Sequence, residues 1–124
     1  MDRIFALMGA VFAFLAVGLG AFGAHGLSGR LSASELEIFE TGVRYQMYHA
    51  LGLLAVAWIF TRWPGTGVVW SGWLFAAGIV VFSGSLYFLA TTGPRWLGAI
   101  TPLGGMAFLA GWALLAVALV RGNG

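Results

Sequence analysis

The chain has 124 residues, 60% of them apolar and 8% charged, whereas a soluble domain carries about 25% charge; the composition excludes an ordinary soluble domain and points to lipid as the solvent. The net charge of +2 and the pI near 9.7 arise from six Arg against four acids, with no Lys. These Arg stand singly in loops and at termini, which excludes the clustered basic face of a nucleic-acid partner, and the lack of any Cys excludes disulfides, thiolate metal centres and cysteine nucleophiles.

Four segments approach the ~20 apolar residues that cross ~30 Å of hydrocarbon: residues 4–24, 45–61, 68–90 and 99–120. The first begins like a secretory signal, and Ala21-Phe22-Gly23-Ala24 at its end resembles a small-residue cleavage site. Its apolar run is longer than the ~7–15 residues of a signal core, so it reads as a retained span. Breakers separate the spans: Gly26 and Gly29, then Trp63-Pro64-Gly65, then Gly93-Pro94. The pattern predicts a single all-α domain, an integral membrane four-helix bundle of two transmembrane hairpins.

The connection between spans one and two has order of its own. Ser32 with Glu35 three residues on fits a capping box, and Leu36, Phe39 and Val43 fall on one stripe. This predicts a short amphipathic helix over residues 32–44, lying at the interface and running on into span two. Glu40 and Arg44 stand four apart in the order that favours an ion pair.

Both termini and the second loop fall on one side of the membrane, the first and third loops on the other. Arg3, Arg62 and Arg121 then oppose Arg30, Arg44 and Arg95, so the positive-inside count ties and selects no orientation. Trp63, Trp70 and Trp96 near span ends fit interfacial anchors, while Trp58, Trp73 and Trp112 lie deeper. Small residues at four-residue spacing, Ala16-Gly20-Ala24, Gly72-Ala76 and Ala107-Gly111, suit close helix packing. Ser83, Ser85, Thr91, Thr101 and Pro102 bracket the last hairpin and read as helix caps and hairpin closure, with Pro102 in a first turn.

Polar side chains concentrate at one end of the first hairpin. His25 closes span one, and Glu40, Thr41, Arg44, Tyr45, Gln46, Tyr48 and His49 open span two. Thr41, Tyr45 and His49 share a stripe, with His49 about one turn inside the membrane edge and facing the bundle interior. Three readings stay open: a polar cluster that pins the helices, with Tyr45 and His49 satisfying each other; a binding site for a lipid headgroup, quinone or small solute; or a haem or metal held by His25 and His49. Catalysis has no motif behind it, since no nucleophile elbow or phosphate loop is present and every acid lies at a span edge. No cofactor is expected.

Four blocks carry a family resemblance: Gly20-Ala-Phe-Gly-Ala-His-Gly-Leu27, Phe39-Glu-Thr-Gly-Val-Arg-Tyr-Gln-Met-Tyr-His-Ala-Leu-Gly52, Phe82-Ser-Gly-Ser-Leu-Tyr87 and Gly98-Ala-Ile-Thr-Pro-Leu-Gly-Gly105. Together they resemble the YgdD-like small bacterial membrane proteins, the domain of unknown function four-two-three. The resemblance implies four spans in the bacterial inner membrane and no known activity. It matches His25, Thr41, Arg44, Tyr45, Gln46, His49, Ser83, Ser85, Tyr87, Thr101 and Pro102 to family motif positions, and Ser85, Tyr87 and Thr101 are expected on the same bundle face as His25 and His49. The expected function is that of a non-enzymatic accessory subunit or assembly factor of a larger membrane complex. The alternative is a homo-oligomeric carrier or channel for a small solute, lipid or quinone. Membrane lipids and other membrane subunits, or further copies, are the expected partners.

Overall fold

The structure, a computed structural model, describes residues 1–122. They form four helices joined by short turns: α1 (Asp2–Leu27), α2 (Ala33–Arg62), α3 (Thr66–Thr92) and α4 (Leu97–Arg121). The described residues contain no strand. At ~1.5 Å per residue each helix is roughly 38–45 Å long, more than the hydrocarbon core requires. By length and composition α1, α3 and α4 can cross a membrane. The fourth helix, α2, is as long but less apolar, because it carries Glu35, Glu37, Glu40 and Arg44 in its first turns and Gln46 and His49 farther on. Its claim to a place in the bundle rests on what covers those groups.

The predicted capping box starts α2: the Ser32 hydroxyl accepts from the Glu35 amide at 3.1 Å, and the Glu35 carboxylate accepts from the Ser32 amide at 2.8 Å. From there the helix runs unbroken to Arg62. Residues 33–44 stand alongside the end of α1 and are not laid across it, because Leu27, Phe39 and Ala90 form a small core there, with Tyr87 packed against it. At the other end Trp63 precedes Pro64 and leaves helical dihedrals, as the steric demand of a following proline requires. Helix α3 ends on Gly93 at φ +84°, the left-handed cap that glycine adopts freely. Helix α4 begins two residues earlier than expected, because the amides of Leu97, Gly98 and Ala99 bond back to Pro94, Arg95 and Trp96. Pro102 therefore sits in its second turn and not its first.

Helices α1 and α2 pack as one antiparallel pair, α3 and α4 as another, and α2 lies along α3. Two glycines set the tightest approaches. A Cβ on Gly9 would fall 2.8 Å from the Ala50 carbonyl oxygen, and one on Gly104 would fall 2.7 Å from the Phe82 Cα. Backbone contact of this kind is how helices associate where the solvent is as apolar as the side chains. The buried positions of α4, Gly104, Phe108, Gly111, Leu115 and Ala118, alternate in steps of four and three, a single inward seam. A larger core of Phe5, Leu53, Val56, Val68, Phe75, Ile79 and Leu115 fills the end of the bundle away from Leu27. Between the two cores lies a belt of polar side chains.

Within α3 the π-bulge at Ile79–Ser83 falls where the Phe82 backbone meets Gly104. Helices α2 and α4 share no extended backbone contact; they meet through side chains, and this gap sets up the site.

Candidate functional site

The polar belt is built from α2 outward. Gln46, 3% exposed, joins three helices: its Nε2 donates to the Phe12 carbonyl on α1 at 2.8 Å, and its Oε1 accepts from the Tyr87 hydroxyl on α3 at 2.6 Å. One turn earlier on α2, the Gly42 carbonyl accepts from the fully buried Ser83 hydroxyl at 2.7 Å. Ser85 and Thr101 share a hydrogen bond of 2.5 Å between α3 and α4, with the Phe82 and Leu97 carbonyls as their further acceptors. Each hydroxyl has one proton, so two arrangements exist, one running toward Phe82 and the other toward Leu97. Ser85 and Thr101 thus close the last hairpin, as expected, whereas Ser83 caps nothing and ties α3 to α2. Interhelical hydrogen bonds in membranes contribute roughly 0.6–2 kcal/mol each.

His49 lies near the middle of α2. It is 16 residues past Ala33 and 13 before Arg62, which puts it roughly 20 Å from either end of α2. Its Nδ1 contacts the Tyr45 carbonyl at 2.8 Å, and its Nε2 lies 2.9 Å from the Trp112 indole Nε1. A carbonyl only accepts and an indole N–H only donates, so Nδ1 carries the proton, Nε2 accepts, and the ring is the neutral tautomer. The ring also stacks on Phe108 at 3.6 Å and 8°, and packs edge-to-face with Phe75 at 5.2 Å. His49 is thus tied to the Tyr45 backbone, not to its phenol.

Beside this aromatic box, between α2 and α4, runs an apolar groove of about 410 Å³. Tyr45 and His49 form one wall; Pro102, Gly105, Met106, Leu109 and Trp112 form the other, over a floor of Phe82 and Phe108. Its polar edge is confined to α2.

The remaining candidates stand apart. His25 is exposed on the π-bulge that ends α1 (Gly23–Leu27). Gly23 packs on Phe39, ten residues before His49, so the two imidazoles are separated by roughly 15 Å along the bundle. One metal or haem iron cannot bridge them at bonding distances near 2 Å. Among the described residues no three His, Asp or Glu side chains converge on a common point. Glu40 is exposed and forms no ion pair with Arg44; the Arg44 guanidinium donates instead to the Thr41 hydroxyl at 3.2 Å, which in turn donates to the Glu37 carbonyl. An exposed pair of long side chains gains little by holding one geometry. Tyr48 is exposed and packs edge-on against Tyr45. Tyr87 bonds to Gln46, and Ser85 and Thr101 bond to each other, so none of the three contacts either imidazole through these bonds. Sequence reasoning missed Trp112, Phe108 and the α4 wall. A tryptophan far from either interface must find an acceptor for its N–H, and that requirement pointed from Trp112 to the imidazole.

Comparison with known proteins adds a family. The family described as protein of unknown function (DUF423) matches residues 19–105. The chain is 54% identical to the UPF0382 membrane protein YwdK of Bacillus subtilis over 120 residues, 96% of this chain and 98% of that one. It is 52% identical to a UPF0382 membrane protein of Staphylococcus epidermidis, over 96% of this chain and 97% of the relative. A third, from Staphylococcus saprophyticus, is 52% identical over 93% and 95%. No solved structure matches. The matched region takes in Gln46, His49, Ser83, Ser85, Tyr87 and Thr101, all of the polar belt except Trp112, and with it the chain belongs to the DUF423 family of membrane proteins.

Proposed function

We propose that the protein is a non-enzymatic component of the bacterial inner membrane, an accessory subunit or assembly factor of a larger membrane complex. One observation carries this reading: no buried polar side-chain atom among the described residues lacks a hydrogen-bond partner. Gln46, His49, Ser83, Ser85 and Thr101 are spent on holding helices, so the interior offers no unpaired group for a nucleophile, a base or a translocated ion. What remains for function is the outer surface. Helix α1 proper (Asp2–Phe22) buries Phe5, Gly9 and Ala16 and turns Leu7, Phe14 and Val17 outward, a face suited to a helix of another subunit. A photo-crosslinking residue placed at Phe14 or Val17 tests this in native membranes. The expected product is one discrete adduct with another membrane protein; adducts with lipid alone, or with a second copy alone, overturn it.

A second reading, a bundle that holds a lipid, quinone or small solute alone or as a homo-oligomer, is favoured by the groove beside His49.

A further inference from the structure

The groove between α2 and α4 is apolar along its α4 wall and has its polar side chains on α2. Its α4 wall runs from Pro102 to Trp112, ten residues or roughly 15 Å of helix. That is half of the ~30 Å hydrocarbon core, the depth of one leaflet. Its volume of about 410 Å³ is within the range of small-ligand sites. A 15 Å length of helix, at ~10 Å diameter, displaces roughly 1,200 Å³, so a transmembrane helix can lie over the groove but not in it. A single hydrocarbon chain fits.

The two ends differ in chemistry. At the deep end the indole N–H of Trp112 and both nitrogens of His49 are already paired, so a polar group arriving there would find no free partner. The chain must enter with its apolar end leading. At the shallow end the Thr41–Tyr45–His49 stripe of α2 continues past the groove. Arg44 lies off that stripe, but its guanidinium reaches back to the Thr41 hydroxyl and so comes onto the stripe one turn beyond Tyr45. Neither Glu37 nor Glu40 pairs with it, and it is exposed. Among the described residues, an arginine without an ion-pair partner therefore stands one helical turn beyond the Tyr45 end of the groove.

We infer that the groove holds one acyl chain of an anionic phospholipid, with the phosphate at Arg44 and the chain end against His49 and Trp112. This rests on the ligand-holding reading above and names its ligand class. Helix association alone has no need of a cation there, whereas an anionic headgroup does.

Native mass spectrometry of the full chain released from vesicles containing equal parts phosphatidylglycerol and phosphatidylcholine tests the assignment. The wild type should retain one lipid per chain, phosphatidylglycerol over phosphatidylcholine by roughly fivefold, the preference expected of one arginine near the surface. Arg44→Gln should retain a lipid and lose the preference. A Cβ at Gly105 has only the Phe82 ring near it, at 3.9 Å, so Gly105→Leu can fill the groove without displacing backbone. That variant should keep its thermal stability and lose the lipid. Retention of both lipids equally by the wild type, or an unchanged preference in Arg44→Gln, overturns the anionic assignment and leaves the ligand-holding reading standing. Lipid retained by a stable Gly105→Leu variant overturns the groove as the site. No retained small molecule at all overturns both readings, as does a groove occupied by a second copy, seen as a dimer that Gly105→Leu abolishes.

Discussion

Two seams run along α2, and they are built differently. Toward α3 the helices touch through backbone and short polar groups: Ser83 to the Gly42 carbonyl, Tyr87 to Gln46. Toward α4 the backbones stay apart, and the space is bridged by the rings of His49, Phe108 and Trp112, with Phe75 of α3 packed against His49 and Trp112. The first seam is closely packed. The second spans a wider gap with large flat rings, which meet in a box but do not tile the whole gap, and the part they leave is the groove. In a bilayer, where burial of apolar surface favours neither arrangement, the choice between small residues and aromatics decides which face of a helix is structural and which stays open to a guest.

The contrast can be broken most severely where α3 and α4 meet. Gly104→Leu places a side chain against the Phe82 backbone, which cannot yield as a flexible side chain would; the expected loss is about 3 kcal/mol or more, read as failure to recover folded protein or as a large fall in thermal midpoint. Next comes the aromatic seam. His49→Phe removes the acceptor of the Trp112 N–H and should cost about 2 kcal/mol. The double variant with Trp112→Phe should recover part of that loss, because removing both partners leaves no orphaned donor. Additive losses in the double-mutant cycle would show that the contact seen at 2.9 Å couples the helices weakly. If His49→Phe instead kept its stability, the histidine would not be a pin.

Much of this could be read in the sequence, and the limits have physical causes. Period and breakers gave the helices, and Ser32-Glu35 gave the start of α2, because both signals are local. The stripe of Leu36, Phe39 and Val43 suits a membrane surface and a neighbouring helix equally well, and only the packing of Phe39 on Leu27 and Ala90 shows that it meets other helices. Gln46 and Tyr87 were both singled out, yet their pairing spans 41 residues, beyond any local pattern. The groove was invisible for a related reason: it is defined by what does not pack, and its α4 wall of Met106 and Leu109 looks like any lipid-facing surface.

The polar seam toward α3 should respond more mildly than the aromatic one. Tyr87→Phe removes one donor from Gln46 and should cost about 1 kcal/mol, with Gln46→Leu somewhat worse because it releases the Tyr87 hydroxyl and withdraws from the Phe12 carbonyl together. Outside both seams, Glu40→Gln should change stability by less than about 0.5 kcal/mol, since the carboxylate is exposed and has no cation within pairing distance. This smallest effect is also a sharp test of how charge is placed. If Glu40→Gln measurably destabilised the fold at low salt and the loss vanished at high salt, the carboxylate would be in the field of Arg44 after all. The arginine would then be partly neutralised, and the mouth of the groove would have less charge to offer an anion.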